Sequence, residues 1–145
     1  MPVPNELAGA VEGSILAAQL VPELGWLVVG GPGPNRYDMT RIAAVLDPAG
    51  DDRYEWGTGV LESRLVIDLT GNDTYVAAAG ADGVAPVSGP AGAAFGVCVI
   101  DDWAGNDRYE SPRGGIGAAT FGVGILVDRA GDDVYVGGRW TIGSA

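Results

Sequence analysis

The 145-residue chain contains no histidine and no lysine, and its only cysteine is Cys98. Without histidine, neither a Ser-His-Asp nor a Cys-His nucleophile system can be assembled within this chain. The usual zinc sites need histidine or several cysteines, and Schiff-base catalysis and the P-loop need lysine, so these are excluded as well. Cys98 cannot form an internal disulfide, and its apolar surroundings predict a buried structural thiol. We therefore expect a protein that is not an enzyme of the common types.

Positive charge is also scarce. Eight arginines stand against 19 acidic residues, which gives a formal net charge of −11 at pH 7. Nucleic-acid binding requires a basic face, so we expect no nucleic-acid ligand. Residues 14–31 are apolar but contain Pro22 and Glu23, so we expect no membrane insertion. The first residues lack the basic segment of a signal peptide.

The acidic residues are concentrated in a motif, Asp-x-x-Gly-(Asn/Asp)-Asp-x-Tyr, that occurs four times. The copies are residues 47–54, 68–75, 102–109 and 128–135, and each follows a short apolar run. A repeated unit of a strand and an acidic turn is typical of stacked repeat proteins. The copies begin 21, 34 and 26 residues apart, which suits a β-solenoid because surplus residues leave the coil as loops. The sequence therefore predicts an all-β fold, a right-handed parallel β-solenoid.

The start of the chain is expected to close this array. Residues 5–20 carry apolar residues at helical spacing, which predicts a short N-terminal capping helix within a cap of residues 1–24. Residues 33–37, Gly-Pro-Asn-Arg-Tyr, form a degenerate fifth copy in which asparagine replaces the inner aspartate. An atypical terminal repeat is common at the capped end of a solenoid. Residues 25–145 are then predicted to form about five coils.

The end of the chain is expected to leave the array open. Residues 95–102 match residues 121–128 at an offset of 26, and the same offset maps residues 116–119 onto 142–145. The chain stops where the next strand of the array would begin. The last coil is therefore predicted to be incomplete, and the chain to belong to a longer array. An open coil end exposes apolar side chains and unpaired backbone, which predicts a protein partner or a second copy there.

Stacking would bring the acidic turns into columns. Neighbouring strands lie about 4.8 Å apart, and like charges at that distance repel by roughly 3–4 kcal/mol at an effective dielectric constant near 20. Solvation, raised carboxyl pKa values or a bound cation would relieve this repulsion. Calcium suits the donors, because it takes six to eight oxygen ligands from carboxylates and carbonyls. The predicted ligands are the leading and inner aspartates of the four motifs: Asp47, Asp52, Asp68, Asp73, Asp102, Asp107, Asp128 and Asp133.

The remaining motif positions are predicted to support the turn. Glycine at the fourth position suits positive φ, and the adjacent asparagines tolerate left-handed geometry. The turn-supporting residues are Gly50, Gly71, Gly105, Gly131, Asn72 and Asn106, and the tyrosines expected in a stacked core or edge ladder are Tyr54, Tyr75, Tyr109 and Tyr135. Asp and Asn are common in turns for conformational reasons alone, so a metal-free structural turn stays open.

The glycine-Asx-Asp turn followed by an inward apolar residue resembles the RTX nonapeptide, Gly-Gly-x-Gly-x-Asp-x-(apolar)-x. The matching positions are the glycine, inner aspartate and tyrosine of each motif. The resemblance implies calcium bound between successive coils of a parallel β-roll, but it does not imply secretion by the RTX route. The location is left open by the sequence: calcium binding would favour an extracellular or cell-surface location, whereas no signal peptide is seen in these residues. The chain departs from the RTX pattern in having one motif per coil and Asp-x in place of Gly-Gly. It also looks like Asp-x-x-Gly-x-Asp-x-Tyr arrays in uncharacterised bacterial repeat proteins.

Three functions follow from these observations. The leading one is a non-catalytic, calcium-stabilised β-solenoid that serves as a scaffold or interaction module. The second is a polysaccharide-active enzyme similar to β-helix lyases and hydrolases, with aspartate carboxylates in catalysis and a carbohydrate ligand. The third is a metal-free solenoid that associates end to end through its last coil.

Overall fold

A computed structural model describes residues 2–57, 63–77 and 89–143, in which twelve strands form two six-stranded mixed sheets. The strands are β1 (Val11–Glu12), β2 (Ile15–Val21), β3 (Gly25–Gly30), β4 (Arg36–Asp38), β5 (Ile42–Asp47), β6 (Arg53–Trp56), β7 (Ser63–Asp68), β8 (Thr74–Ala77), β9 (Gly96–Asp102), β10 (Arg108–Gly115), β11 (Gly122–Asp128) and β12 (Val134–Thr141). Sheet A has the order β1-β4-β6-β8-β10-β12, and sheet B has the order β2-β3-β5-β7-β9-β11. The predicted all-β class is thereby confirmed.

The chain alternates between the two sheets in five units, each made of a sheet B strand, a turn and a sheet A strand. Units 1 to 5 are β3–β4, β5–β6, β7–β8, β9–β10 and β11–β12. Successive units pair in parallel, with equivalent motif residues in register in both sheets. Tyr37 pairs with Tyr54, which places residues 33–37 as the first copy of the motif. The turns of all five units therefore lie along one edge of the structure.

The prediction of an N-terminal capping helix is wrong. Within the described ranges the only helical element is a 3-10 turn, Asn5–Leu7, and the following residues form β1 and β2. Gly9 and Gly13 adopt φ of +76° and +108°, outside the helical region, and glycine inside a helix costs about 1 kcal/mol relative to alanine. The two strands run antiparallel to β4 and β3 and border the array in place of a helix. No helix in the described part of the chain has the length and apolarity of a membrane span.

The core lies between the sheets and is built from equivalent positions of successive units. Val45, Val66 and Ile100 occupy one register row of sheet B and are buried. Cys98 is also buried, as predicted, and burial raises the pKa of its thiol to about 11. Because β11 and β12 are edge strands, unit 5 is less covered than the others. Tyr135 is 41% exposed, whereas the equivalent Tyr109 is fully buried.

The predicted incomplete last coil falls partly on residues 144 and 145, which lie outside the described residues. The described part of unit 5 ends two residues after β12, at Gly143. Membership of a longer array stays a prediction.

Candidate metal centre

The inner aspartates form a column that connects successive turns. In each case the Oδ1 atom accepts a hydrogen bond from the backbone N–H of the equivalent residue in the preceding unit. The N–O distances are 2.7 Å for Asn35 to Asp52, 2.6 Å for Asp52 to Asp73, 2.7 Å for Asp73 to Asp107 and 3.0 Å for Asp107 to Asp133. One oxygen of every inner aspartate therefore has a structural role.

Asn35 heads this column without a charge. Its Oδ1 accepts from the backbone N–H of Ser14 at 2.7 Å, so it fills the same acceptor role as the aspartates below it. Its Nδ2 donates to Gly31 O at 3.0 Å and to Asp47 Oδ2 at 3.2 Å. Both polar atoms of the amide group are thus bonded. The same acceptor role in the turn, here towards the segment before β2, is therefore filled without a carboxylate.

The aspartates of the middle units carry oxygens that the turn does not use. The Oδ2 atoms of Asp52, Asp73 and Asp107 are buried and have no hydrogen-bond partner among the described residues. These side chains are at most 2% exposed. A buried acceptor without a partner costs about 1–3 kcal/mol, and more when it is charged. Such a group needs a proton, a water molecule or a cation.

The leading aspartates form a second column, bonded to the tyrosines. Tyr hydroxyls donate to the Oδ2 atom of the leading aspartate in the next unit, at 2.5 Å for Tyr37 to Asp47, 2.5 Å for Tyr54 to Asp68 and 2.6 Å for Tyr75 to Asp102. The last two tyrosines approach the aspartate of their own unit, at 3.4 Å for Tyr109 to Asp102 and 2.8 Å for Tyr135 to Asp128. The five rings stack with centroids 4.7–5.1 Å apart. The tyrosine ladder therefore presents a row of donors to the leading aspartates.

The two columns together bring the carboxylates into three groups. They are Asp47 with Asp52 and Asp68, Asp73 with Asp102 and Asp107, and Asp107 with Asp128 and Asp133. In each group one oxygen of every residue lies within 4.8 Å of the others. Oxygen ligands at the 2.3–2.6 Å typical of calcium are separated by no more than about 5 Å, so this spacing fits one shared ion. All eight aspartates predicted as ligands belong to these groups, the first two of which are fully buried.

Burial, together with the charge of neighbouring carboxylates, makes four of the inner and leading aspartates weak acids. The pKa is raised to about 9 for Asp73, to about 8 for Asp52, and to about 7 for Asp68 and Asp107. Burial also raises the tyrosine pKa values, which keeps the hydroxyls neutral as donors. Near neutral pH the columns must therefore retain protons or acquire positive charge from a cation.

The glycines of the motif are required by the contact between turns. A Cβ at Gly71 would lie 1.6 Å from Gly50 O, and a Cβ at Gly105 would lie 1.7 Å from Gly71 O. The expected positive φ is found at Gly50 and Gly131 but not at Gly71 or Gly105. Close stacking of backbone, rather than turn conformation alone, therefore explains this position.

The fifth motif position forms a third column, at the surface. Asn72 Oδ1 accepts from the backbone N–H of Asn106 at 2.9 Å, and Asn106 Oδ1 accepts from that of Asp132 at 2.8 Å. Asp51 Oδ1 accepts from the backbone N–H of Asn72 at 2.9 Å. Aspartate and asparagine are mixed here because either can accept, and solvent reaches their remaining atoms.

Sequence reasoning missed two participants. Tyr37 donates to Asp47 although its unit lacks the full motif, and Ser14 donates its backbone N–H to the head of the inner column. The alignment of residues 33–37 on the motif was a usable signal for Tyr37. Nothing in the sequence marked Ser14, because its contact depends on the antiparallel approach of β2 to β3.

Comparison with known proteins identifies no relative, since no family model, curated protein or solved structure matches the chain.

Proposed function

We propose that the chain is a right-handed parallel β-solenoid whose two aspartate columns bind calcium between successive coils. In this proposal it acts as a non-catalytic scaffold or interaction module within a larger repeat protein. Calcium would neutralise the columns and stabilise the fold, because it binds the folded chain and not the unfolded one.

The observation that carries the proposal is the difference between Asn35 and the aspartates below it. Asn35 accepts a backbone hydrogen bond from Ser14, at the border of the array, with a neutral side chain whose polar atoms are all bonded. Asp52, Asp73 and Asp107 accept the equivalent bond from the preceding unit and add a buried oxygen that has no partner among the described residues. Asparagine would serve a purely structural turn at lower electrostatic cost. The additional oxygens therefore support a site for a cation.

The donor set favours calcium among divalent cations. Each group consists of aspartates, whose carboxylate oxygens are hard ligands, and the chain has no histidine to favour zinc. Magnesium normally keeps several of its waters. The first two groups are buried and so are better suited to an ion that exchanges most of its waters for protein oxygens.

The burial of the carboxylates supports a non-catalytic role. A catalytic group must contact its substrate, and Asp47, Asp68 and Asp102 have no exposed surface. The second sequence-based hypothesis, a polysaccharide-active enzyme, therefore gains no support from the position of these acids. The compartment in which the protein works stays a prediction that depends on calcium binding.

Thermal unfolding with calcium or with EDTA tests this proposal. At free calcium of 100 times Kd, a single site stabilises the folded state by about 2.7 kcal/mol, which raises Tm by several degrees in a chain of this size. The triple variant Asp52→Asn, Asp73→Asn, Asp107→Asn should lose this calcium response. In EDTA at pH 8 it should unfold at the same Tm as wild type or a higher one, because asparagine keeps the acceptor and removes the charge.

The surface column provides the matched control. The double variant Asp51→Asn, Asp132→Asn removes two surface charges from the turns of units 2 and 5, outside the three carboxylate groups, and it should keep the full calcium response. A wild-type Tm that is equal in calcium, in magnesium and in EDTA would contradict the proposal and favour the metal-free turn. A calcium response retained by the triple variant would place the site elsewhere.

A further inference from the structure

The outer face of sheet B is apolar. Strand residues alternate between the core and the outside, and the outward positions include Leu46, Leu65, Val97, Val123, Ile125 and Val127, which are 37–48% exposed. Register places them in rows across neighbouring strands, with Val97 beside Val123 and Leu65 in line with Val99 and Ile125. We call this surface the sheet B face. Parallel sheets normally have both faces covered by other elements, but no helix or strand among the described residues covers this face.

The outer face of sheet A is charged, although it is built by the same alternation. Arg36 and Arg53 both pair with Glu55, and Arg108 pairs with Glu110 at 3.0 Å. Their positions are in register across β4, β6 and β10 through the intervening β8. Such interleaved charges are suited to solvent. Exposed valines of sheet A, such as Val134 beside Arg108, are thus interrupted by charged residues, whereas the apolar rows of the sheet B face continue from strand to strand.

The size of the sheet B face fits a protein interface. Six strands at about 4.8 Å and three outward positions at about 6.6 Å give a footprint of about 24 by 13 Å, to which Phe95 and Phe121 add a fourth position in the last two units. With the corrugation of the side chains the accessible area is roughly 500 Å² per partner, close to the low end of specific interfaces. Apolar patches of this extent on soluble chains mark interaction sites.

The borders of the face are polar at one end and aromatic at the other. At the turn end Arg129 pairs with Asp101 at 2.8 Å and lies over the Trp103 ring at 5.3 Å. At the opposite end Phe95 and Phe121, which immediately precede β9 and β11, stack at 5.7 Å and are 67% and 83% exposed. The face carries no net charge, since Arg129 neutralises Asp101.

We infer that a second copy of the chain packs its sheet B face against this one. Two such faces meet without opposing like charges, and flat sheets with aliphatic rows pack about 10 Å apart. A two-fold axis along the stacking direction reverses the strands, which brings the Phe95–Phe121 end of one copy over the Arg129–Trp103 end of the other. The net charge of −11 opposes an anionic lipid surface as the alternative occupant.

Sedimentation equilibrium of the full chain in EDTA and in calcium tests this inference. Wild type should sediment at twice the 14.7 kDa of one chain at micromolar concentration. The double variant Val123→Thr, Val127→Thr keeps β-branched residues but buries four hydroxyls per dimer, each of which weakens binding about fivefold. We expect its dimer dissociation constant to rise at least 100-fold.

The control is Val134→Thr, Val136→Thr, on the outer face of sheet A in the same unit. Its residues are 48% and 39% exposed, against 48% and 37% for the test pair, so solvent exposure and chemistry are matched. The control should dimerise as wild type does, and unfolding curves of both variants confirm that they are folded. A wild-type chain that stays monomeric up to about 200 μM, far above the dissociation constants of specific interfaces, would overturn the inference. An equal rise of the dimer dissociation constant in both variants would overturn the inference as well. It would show that the copies associate through the edge strands of unit 5 and not through the sheet B face.

Discussion

Unit 1 and units 2 to 4 build the same turn with different chemistry. Unit 1 has Gly30 in register with the leading aspartates and Asn35 at the inner position, whereas units 2 to 4 have two buried aspartates each. In both regions a side-chain oxygen accepts a backbone hydrogen bond of nearly the same length, 2.7 Å from Ser14 to Asn35 at the border of the array and 2.6–2.7 Å between units 1 to 4. The comparison shows that the turn requires a side chain that accepts a hydrogen bond, but does not require that side chain to be charged. The charge of the aspartates in units 2 to 4 therefore needs a separate explanation.

Gly30 shows why the first unit lacks a leading carboxylate. A Cβ at this position would lie 2.1 Å from Asp47 Oδ2 and 2.2 Å from the Tyr37 hydroxyl. The space is needed for the bond between these two groups, which starts the ladder of tyrosine donors. In unit 1 the positions of both aspartate columns are therefore occupied by the uncharged residues Gly30 and Asn35. The charged part of the array begins at unit 2.

The largest expected difference between the two regions concerns the stacked glycines. Gly71→Ala places a methyl group 1.6 Å from Gly50 O, so the turns must move apart, and we expect a loss of at least about 4 kcal/mol in the free energy of unfolding. The equivalent Gly33→Ala in unit 1 has no atom within 4 Å of the new Cβ, and its effect should stay within about 0.5 kcal/mol. Urea denaturation measures both. Equal losses would show that close stacking does not determine this position.

The pH dependence without divalent cations should be the next largest effect. The carboxyl groups of Asp52, Asp68, Asp73 and Asp107 have folded pKa values of about 7 to 9, above the value of about 3.9 in the unfolded chain. The folded state therefore holds more protons between pH 4 and these values, and stability falls as pH rises through them. In EDTA we expect a higher Tm at pH 5 than at pH 8, by about 10 °C or more.

The triple asparagine variant tests this explanation, because it gives the inner column of units 2 to 4 the same uncharged side chain that unit 1 has in Asn35. Its Tm should change much less between pH 5 and pH 8, with Asp68 as the main remaining contributor. A wild-type protein that is more stable at pH 8 than at pH 5 in EDTA would show that the columns are not protonated in the absence of metal.

The smallest expected effect distinguishes the buried part of the tyrosine ladder from its exposed end. Tyr75→Phe removes a buried donor from Asp102 and should cost about 2 kcal/mol of unfolding free energy. Tyr135→Phe removes the same type of bond, to Asp128, from a side chain that is 41% exposed, and should cost less than about 1 kcal/mol. Chemical denaturation checks the order. A larger cost for Tyr135→Phe would contradict the burial gradient along the array.

Much of the array follows from the sequence because stacking repeats a local pattern. The spacing from the leading aspartate to the tyrosine is constant in the four full motifs, so equivalent residues must meet when the units pair. The all-β class, the first copy at residues 33–37 and the clustering of all eight aspartates followed from that regularity.

Contacts between non-equivalent elements were not predictable in this way. Residues 5–20 have helical spacing, but Gly9 and Gly13 favour a bent chain, and pairing of β2 with β3 supplies the backbone partners. The requirement for glycine at position 71 also depends on a residue of another unit, because a Cβ there would collide with Gly50 O. The apolar sheet B face went unrecognised, because alternating aliphatic residues in Val97–Ile100 look like core until the register shows which side they occupy.

Calcium content of the folded chain tests the central claim most directly. The protein is equilibrated with micromolar calcium at pH 7.5, passed through a metal-free column, and its calcium is quantified by mass spectrometry against protein concentration. The three carboxylate groups, two of which share Asp107, predict two to three calcium ions per chain. The same treatment of the Asp52→Asn, Asp73→Asn, Asp107→Asn variant should remove most of this calcium. Less than 0.1 calcium per wild-type chain would contradict the claim, because it is about tenfold less than even one occupied site would give. The charge of the columns would then be neutralised by protons alone.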